Sequence, residues 1–133
     1  MEKLFSTDKG TFFYKKKSIR CANRLISFEK PVVMGILNVS PDSFYSGSRH
    51  LTGVALLREA EKMLEDGAEI LDIGAISTRP GAEEINEEDE INKLLPALAV
   101  IKRNFPQAIV SVDTYRSSVA RIAVDYGADI IND

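Results

Sequence analysis

Several side chains that hydrogen-bond or carry charge stand at the ends of apolar runs in this sequence. Val32-Val33-Met34-Gly35-Ile36-Leu37 passes into Asn38-Val39-Ser40-Pro41-Asp42-Ser43-Phe44. Ile70-Leu71-Asp72-Ile73-Gly74 passes into Ala75-Ile76-Ser77-Thr78-Arg79-Pro80-Gly81. Ile109-Val110-Ser111-Val112 ends in Asp113-Thr114, and Ile130-Ile131 ends in Asn132-Asp133. A carboxylate accepts from N–H groups, and an Asn amide both donates and accepts. Arg79, between Thr78 and Pro80-Gly81, offers a bidentate fork suited to a phosphate or carboxylate. Polar groups at such places are partly shielded and cost about 1–3 kcal/mol each unless paired. For Thr114, Ser43 and Ser77 the blander role, capping helices and satisfying loop backbone, competes with ligand binding, as does a solvent-facing loop for Arg79. Asp113 and Asn132 end neighbouring apolar runs with no other evident partner and are the stronger candidates.

The elements that must position these residues are legible in the periodicity. Thr11–Cys21 and Arg24–Phe28 are β-rich and separated by Ala22-Asn23, which predicts a hairpin that Pro31 ends. The run from Val32 to Leu37 is continuous, as expected of a strand buried on both faces. Thr52 is a candidate N-cap for a helix with Val54, Leu57, Ala60 and Leu64 on its apolar stripe, closed by Gly67. Asn86 is a candidate cap for a second helix whose acidic first turn, Glu87-Glu88-Asp89-Glu90, suits the positive end of the dipole and is read as facing water. Ile91, Leu94, Leu95, Leu98 and Ile101 form its stripe, Pro96 is expected to kink or split it, and Pro106 ends it. Val119, Ile122, Ala123 and Tyr126 mark a third helix closed by Gly127.

Buried strands alternating with helices imply βαβ units and a parallel sheet. Either an open doubly wound sheet or a (β/α)8 barrel fits, and in both the ligand sits at the carboxyl ends of the strands. Four strands are about half of a barrel, which typically needs ~250 residues. The last strand is not followed by its helix, so the chain reads as a fragment.

Composition narrows the function classes. The 133 residues are 44% apolar and 28% charged, enough for one modest core, and no run approaches the roughly 18–20 apolar residues of a membrane span. With no signal-peptide pattern at Met1–Gly10 and a single cysteine, Cys21, a cytoplasmic location is expected and an internal disulfide or cysteine-built zinc site is excluded. Residues 1–30 hold eight Lys/Arg against three Asp/Glu, whereas 31–133 hold nine against seventeen. Lys15-Lys16-Lys17 therefore reads as a solvated strand face rather than a nucleic-acid patch, because the acidic remainder repels phosphate. No glycine-rich phosphate fingerprint is present, His50 is the one histidine, and the acidic run Glu83–Glu90 resembles a metal site only superficially. No repeat or low-complexity stretch is visible.

Four of these segments, in register, resemble dihydropteroate synthases. Met34-Gly35-Ile36-Leu37-Asn38-Val39-Ser40-Pro41-Asp42-Ser43-Phe44 is similar to that family's first-strand motif, and Ser77-Thr78-Arg79-Pro80-Gly81 to its second-loop motif. Ser111-Val112-Asp113-Thr114 and Ile130-Ile131-Asn132-Asp133 match its third and fourth strand ends, and the similarity runs from about Ser18 to the last residue. The resemblance implies the N-terminal half of a (β/α)8 TIM barrel preceded by a β-hairpin, with residues 1–30 carrying the hairpin and 31–133 the barrel. It implies condensation of 7,8-dihydropterin-6-ylmethyl diphosphate with 4-aminobenzoate to 7,8-dihydropteroate and pyrophosphate, in folate synthesis. It further implies Mg2+ and the pyrophosphate site at Asn38, catalytic roles for Asp42 and Arg79, and substrate binding by Ser43, Phe44, Ser77 and Thr78. Pterin recognition falls on Asp113 and Asn132, and the full-length enzyme is expected to be a homodimer with no nucleic-acid or membrane partner.

The chain departs from that family in places. Ser40 stands where Thr is common, which keeps the hydroxyl, and Ile76 stands where many members have Glu, so it is given no role. The family's later strands supply an Asp, a Lys and an Arg-x-His pair that lie beyond this sequence, and the 133-residue chain alone is expected to be inactive. Two alternatives remain: a pterin-binding methyltransferase, which needs neither loop, and a non-catalytic half barrel that covers its sheet edges by self-association.

Overall fold

The computed structural model describes residues 17–21, 23–39, 49–75 and 84–133. Strands β1 (Ser18–Cys21) and β2 (Arg24–Ser27) pair antiparallel, and Cys21 opposite Arg24 leaves the two-residue connection expected at 22–23. The expected start of the first run, from Thr11, lies outside the described residues. Strands β3 (Met34–Asn38), β4 (Ile70–Gly74), β5 (Ile109–Asp113) and β6 (Ile130–Asn132) form a wholly parallel sheet in chain order. Helices α1 (Arg49–Glu65), α2 (Glu87–Asn104) and α3 (Ser117–Asp125) make the crossovers.

Chain order decides between the two architectures. A doubly wound sheet reverses direction at a switch point and carries helices on both faces; here each strand adds beside its predecessor. All three helices pack on one face, burying Leu37, Leu71, Ile73, Val110 and Val112 against Leu56, Ala60, Leu94, Leu98, Ile101, Val119 and Ala123. The opposite face meets the hairpin at its N-terminal end, where Cys21 and Ile26 are buried with Ile70 and Ile109, and Arg24 donates to the Gln107 carbonyl. This is half of a (β/α)8 barrel, helices outside and strands inside, with the hairpin under the inner face.

Local chemistry explains the helix ends. The Asn86 side chain accepts from Asp89 N at 2.8 Å, and four acids at the start with Lys102 and Arg103 at the end complement the dipole of α2. Both α1 and α3 close on a glycine in the left-handed region, Gly67 (φ 106°) and Gly127 (φ 101°). At each, paired bonds turn the chain: Ala68 N to Met63 O with Gly67 N to Leu64 O, and Ala128 N to Ala123 O with Gly127 N to Val124 O.

Four expectations require correction. Helix α2 is a single element across Pro96, because Leu94, Ala97, Leu98 and Ile101 bury on either side of the proline and hold both halves to the sheet. Helix α1 begins at Arg49, so Thr52 lies within it, and its buried face is Leu56 and Ala60 with Met63 beside them, while Val54 is exposed. Gly35 favours that rotation: a Cβ there would stand 2.7 Å from Met63 Sδ and 3.3 Å from Met63 Cβ, so the bare glycine gives Met63 room against the strand. Tyr126 lies past the end of α3 and is exposed. Strand β3 is buried on one face only, with Leu37 at 0% exposure and Ile36 at 61%, since it edges the sheet and no described residue covers its inner side. Among the described residues no helix is long and apolar enough to cross a membrane.

Candidate active site

The pleat sends alternate residues to the inner face, and the parallel register sorts them into rungs. The rung nearest the carboxyl ends is Asn38, Gly74, Asp113 and Asn132, each opposite the next. Below it lie Ile36, Asp72, Ser111 and Ile130, and below those Met34, Ile70 and Ile109. The inner face is thus apolar at the hairpin end, polar and buried in the middle, and polar and accessible at the rim. Gly74 has no side chain, and the Asp113 carboxyl lies over it: a Cβ there would stand 3.6 Å from Asp113 Oδ2.

The middle rung holds an unusual pair. Asp72 is 3% exposed, and its Oδ2 accepts from Asn132 Nδ2 at 3.1 Å, across the intervening strand β5. Its Oδ1 and the buried hydroxyl of Ser111 have no hydrogen-bond partner among the described residues. Buried polar atoms are rarely left so, which marks this layer as one that expects a further donor. The Asp113 carboxyl is raised above the ordinary aspartate value, chiefly by burial, then by Asp72, Glu90 and Asp133 nearby.

A second network braces the rim from behind. Glu90, fully buried on α2, accepts from Thr114 Oγ1 at 2.6 Å and pairs with Arg116. Arg116 also donates through Nη2 to the Ile85 carbonyl at 2.8 Å and lies over the Tyr115 ring. Thr114 further accepts from Arg116 N at 3.2 Å, while its own N–H donates to the Asn132 carbonyl at 3.0 Å. The loop after β5 is therefore tied to the start of α2, to Ile85 and to β6. Thr114 fills the backbone-satisfying role that competed for it.

Asn38, Asp113 and Asn132 are thus brought onto one rung. Asp42, Ser43, Phe44, Ser77, Thr78 and Arg79 lie outside the described residues, but the strands they follow, β3 and β4, end side by side, with Val39 N bonded to the Gly74 carbonyl at 2.8 Å. Two residues that brace the rim, Asp72 and Glu90, are not singled out by sequence pattern. Asp72 was visible only as one letter of an apolar run. Glu90 was read as facing water with Glu87, Glu88 and Asp89, yet it stands four residues before Leu94 on the buried stripe, the signal that separates it from them.

For a divalent cation, the described residues contain no cluster of three or more His, Cys, Asp or Glu. The amide oxygen of Asn38 stands at the rim as a candidate donor. One protein oxygen fits Mg2+ that keeps several waters and shares phosphate oxygens, and does not fit an all-protein cage.

The strand order, the one-sided helices and the polar rim define the class: half of a (β/α)8 barrel with a polar rim at the carboxyl ends of its strands. The family model for pterin binding enzymes matches residues 34–133, and the chain belongs to that family. Its relatives include the dihydropteroate synthase of Bacillus subtilis, 50% identical over 105 residues, covering 79% of this chain and 36% of the relative. Similar solved structures include Xanthomonas albilineans dihydropteroate synthase with 4-aminobenzoic acid, at TM-score 0.77 and 40% identity, covering 89% of this chain and 44% of that one. Burkholderia cenocepacia dihydropteroate synthase complexed with 7,8-dihydropteroate aligns at TM-score 0.71 and 37% identity, over 87% and 37% of the two chains. The chain spans well under half the length of these relatives.

Proposed function

We propose that this chain is the first half of a dihydropteroate synthase barrel, residues 1–30 contributing the hairpin and 31–133 the barrel strands. The intact enzyme joins 7,8-dihydropterin-6-ylmethyl diphosphate to 4-aminobenzoate, releasing pyrophosphate. The observation that carries this reading is the rung itself: Asn38, Asp113 and Asn132 share one edge of the inner face, at the place where barrel enzymes bind substrate.

Asp113 accepts from N–H groups of the pterin edge, and the Asn132 amide lies beside it. The reaction breaks the C–O bond between the pterin methylene and the diphosphate, and the aminobenzoate nitrogen forms a bond to that carbon, losing its proton. Arg79 neutralises the departing anion through its guanidinium fork. Mg2+, when bound with Asn38 as its protein ligand, supplies further neutralisation of the diphosphate. Asp42, Ser43 and Phe44 follow β3, and Ser77, Thr78 and Arg79 follow the adjacent β4; Asp42 is assigned with Arg79 to catalysis and the others to substrate binding. No protein nucleophile is required.

The test is direct. The intact enzyme is supplied with both substrates, and dihydropteroate and pyrophosphate are measured together. Stoichiometric formation of the two supports the reading, and absence of product from an enzyme that is folded overturns it.

A further inference from the structure

The sequence leaves Asn132 free to donate or accept toward a ligand, and the structure removes that freedom. Its Nδ2 lies 3.1 Å from Asp72 Oδ2. Asn132 is the donor in this bond, so the NH2 end of its amide turns toward Asp72 and its carbonyl oxygen turns away. Asp113, the direct cross-strand neighbour of Asn132, presents a second acceptor on the same rung. The two therefore offer acceptors from adjoining strands of one rim, the Asp113 carboxyl lying over Gly74. Among the described residues the Asp72 Oδ1 is buried without a partner, as is the hydroxyl of Ser111 opposite it.

We propose that Asp72 is a positioning residue that holds Asn132 as a hydrogen-bond acceptor, so that Asp113 and Asn132 together select a heterocycle edge carrying two neighbouring N–H donors. This rests on the pterin reading and sharpens it. A 2-amino-4-oxopteridine offers such an edge, whereas its 2-oxo counterpart sets an acceptor against an acceptor.

The test compares the two pteridines by titration calorimetry on the intact enzyme. The wild type is expected to bind the 2-amino compound about tenfold or more tightly than the 2-oxo one, the scale of one hydrogen bond to a charged or fixed partner. Asp72→Asn keeps the side-chain shape but lets the two amides turn together. It is expected to bring the affinities within about threefold while the circular dichroism spectrum is unchanged. Asp72→Ala is expected to lose the preference as well. Equal affinities in the wild type, or a full preference retained in Asp72→Asn, overturn the proposal alone. A folded wild type that binds neither pteridine overturns the pterin reading and the proposal with it.

Discussion

Thr114 Oγ1 donates to Glu90 at 2.6 Å, joining the end of β5 to the first turn of α2 across 24 positions of sequence. Glu90 is 0% exposed and also pairs with Arg116, whose side chain is 19% exposed. The pair fixes the loop that follows Asp113, so its integrity bears on both stability and site geometry.

Glu90→Ala strands a largely buried guanidinium and removes the partner of Thr114. Removing the carboxylate is expected to lower stability clearly, whereas Glu90→Gln, which keeps one acceptor oxygen for Arg116 and turns its NH2 toward Thr114 Oγ1, is expected to lose less. Urea unfolding of the two variants checks this ordering. Equal stability of Glu90→Ala and wild type contradicts it.

The carboxyl of Asp113 is raised, first by burial and then by Asp72, Glu90 and Asp133. The folded state thus holds this proton more tightly than the unfolded chain. The stability this contributes is present at low pH and is lost as pH rises through the raised value. Pterin binding, which uses the carboxylate, runs the other way and strengthens as pH rises through the same value. Affinity measured against pH is expected to inflect above the ordinary aspartate position, and Asp72→Asn to move that inflection downward. An inflection unmoved by the substitution removes Asp72 as a cause.

Gly35 admits helix α1 to the sheet, and a Cβ at that position would meet Met63 at 2.7 Å from Sδ and 3.3 Å from Cβ and Cγ. Gly35→Ala is expected to destabilise by about 1–3 kcal/mol through overpacking. Adding Met63→Ala empties the contested space, so the double variant loses less than the sum of the single changes. Simple additivity in thermal melts counts against the contact.

Arg79 is assigned to the departing diphosphate by its setting in Ser77-Thr78-Arg79-Pro80-Gly81. Arg79→Ala in the intact enzyme is expected to lower turnover about tenfold or more, the scale of one charge-assisted hydrogen bond. Steady-state kinetics identical to wild type remove it from the mechanism.

The sequence by itself determined what local chemistry controls. Asn86 before a run of acids specified the start of α2, and Gly67 and Gly127 specified how α1 and α3 end, because capping and left-handed turns depend on neighbours within a few residues. The succession of apolar runs ending in Asn38, Asp113 and Asn132 placed those three at one end of a parallel sheet for the same reason, since side-chain alternation is a property of the strand alone. Tertiary structure decided the rest. Several apolar residues of α1 could have faced inward, and the close approach at Gly35 chose among the rotations. Helix α2 runs through Pro96 because burial on both sides outweighs one lost backbone bond. The union of Asp72 with Asn132, and of Glu90 with Arg116, required strands and helices to be laid side by side in a definite register. Register is set by packing between distant segments, and no local period in the chain encodes it.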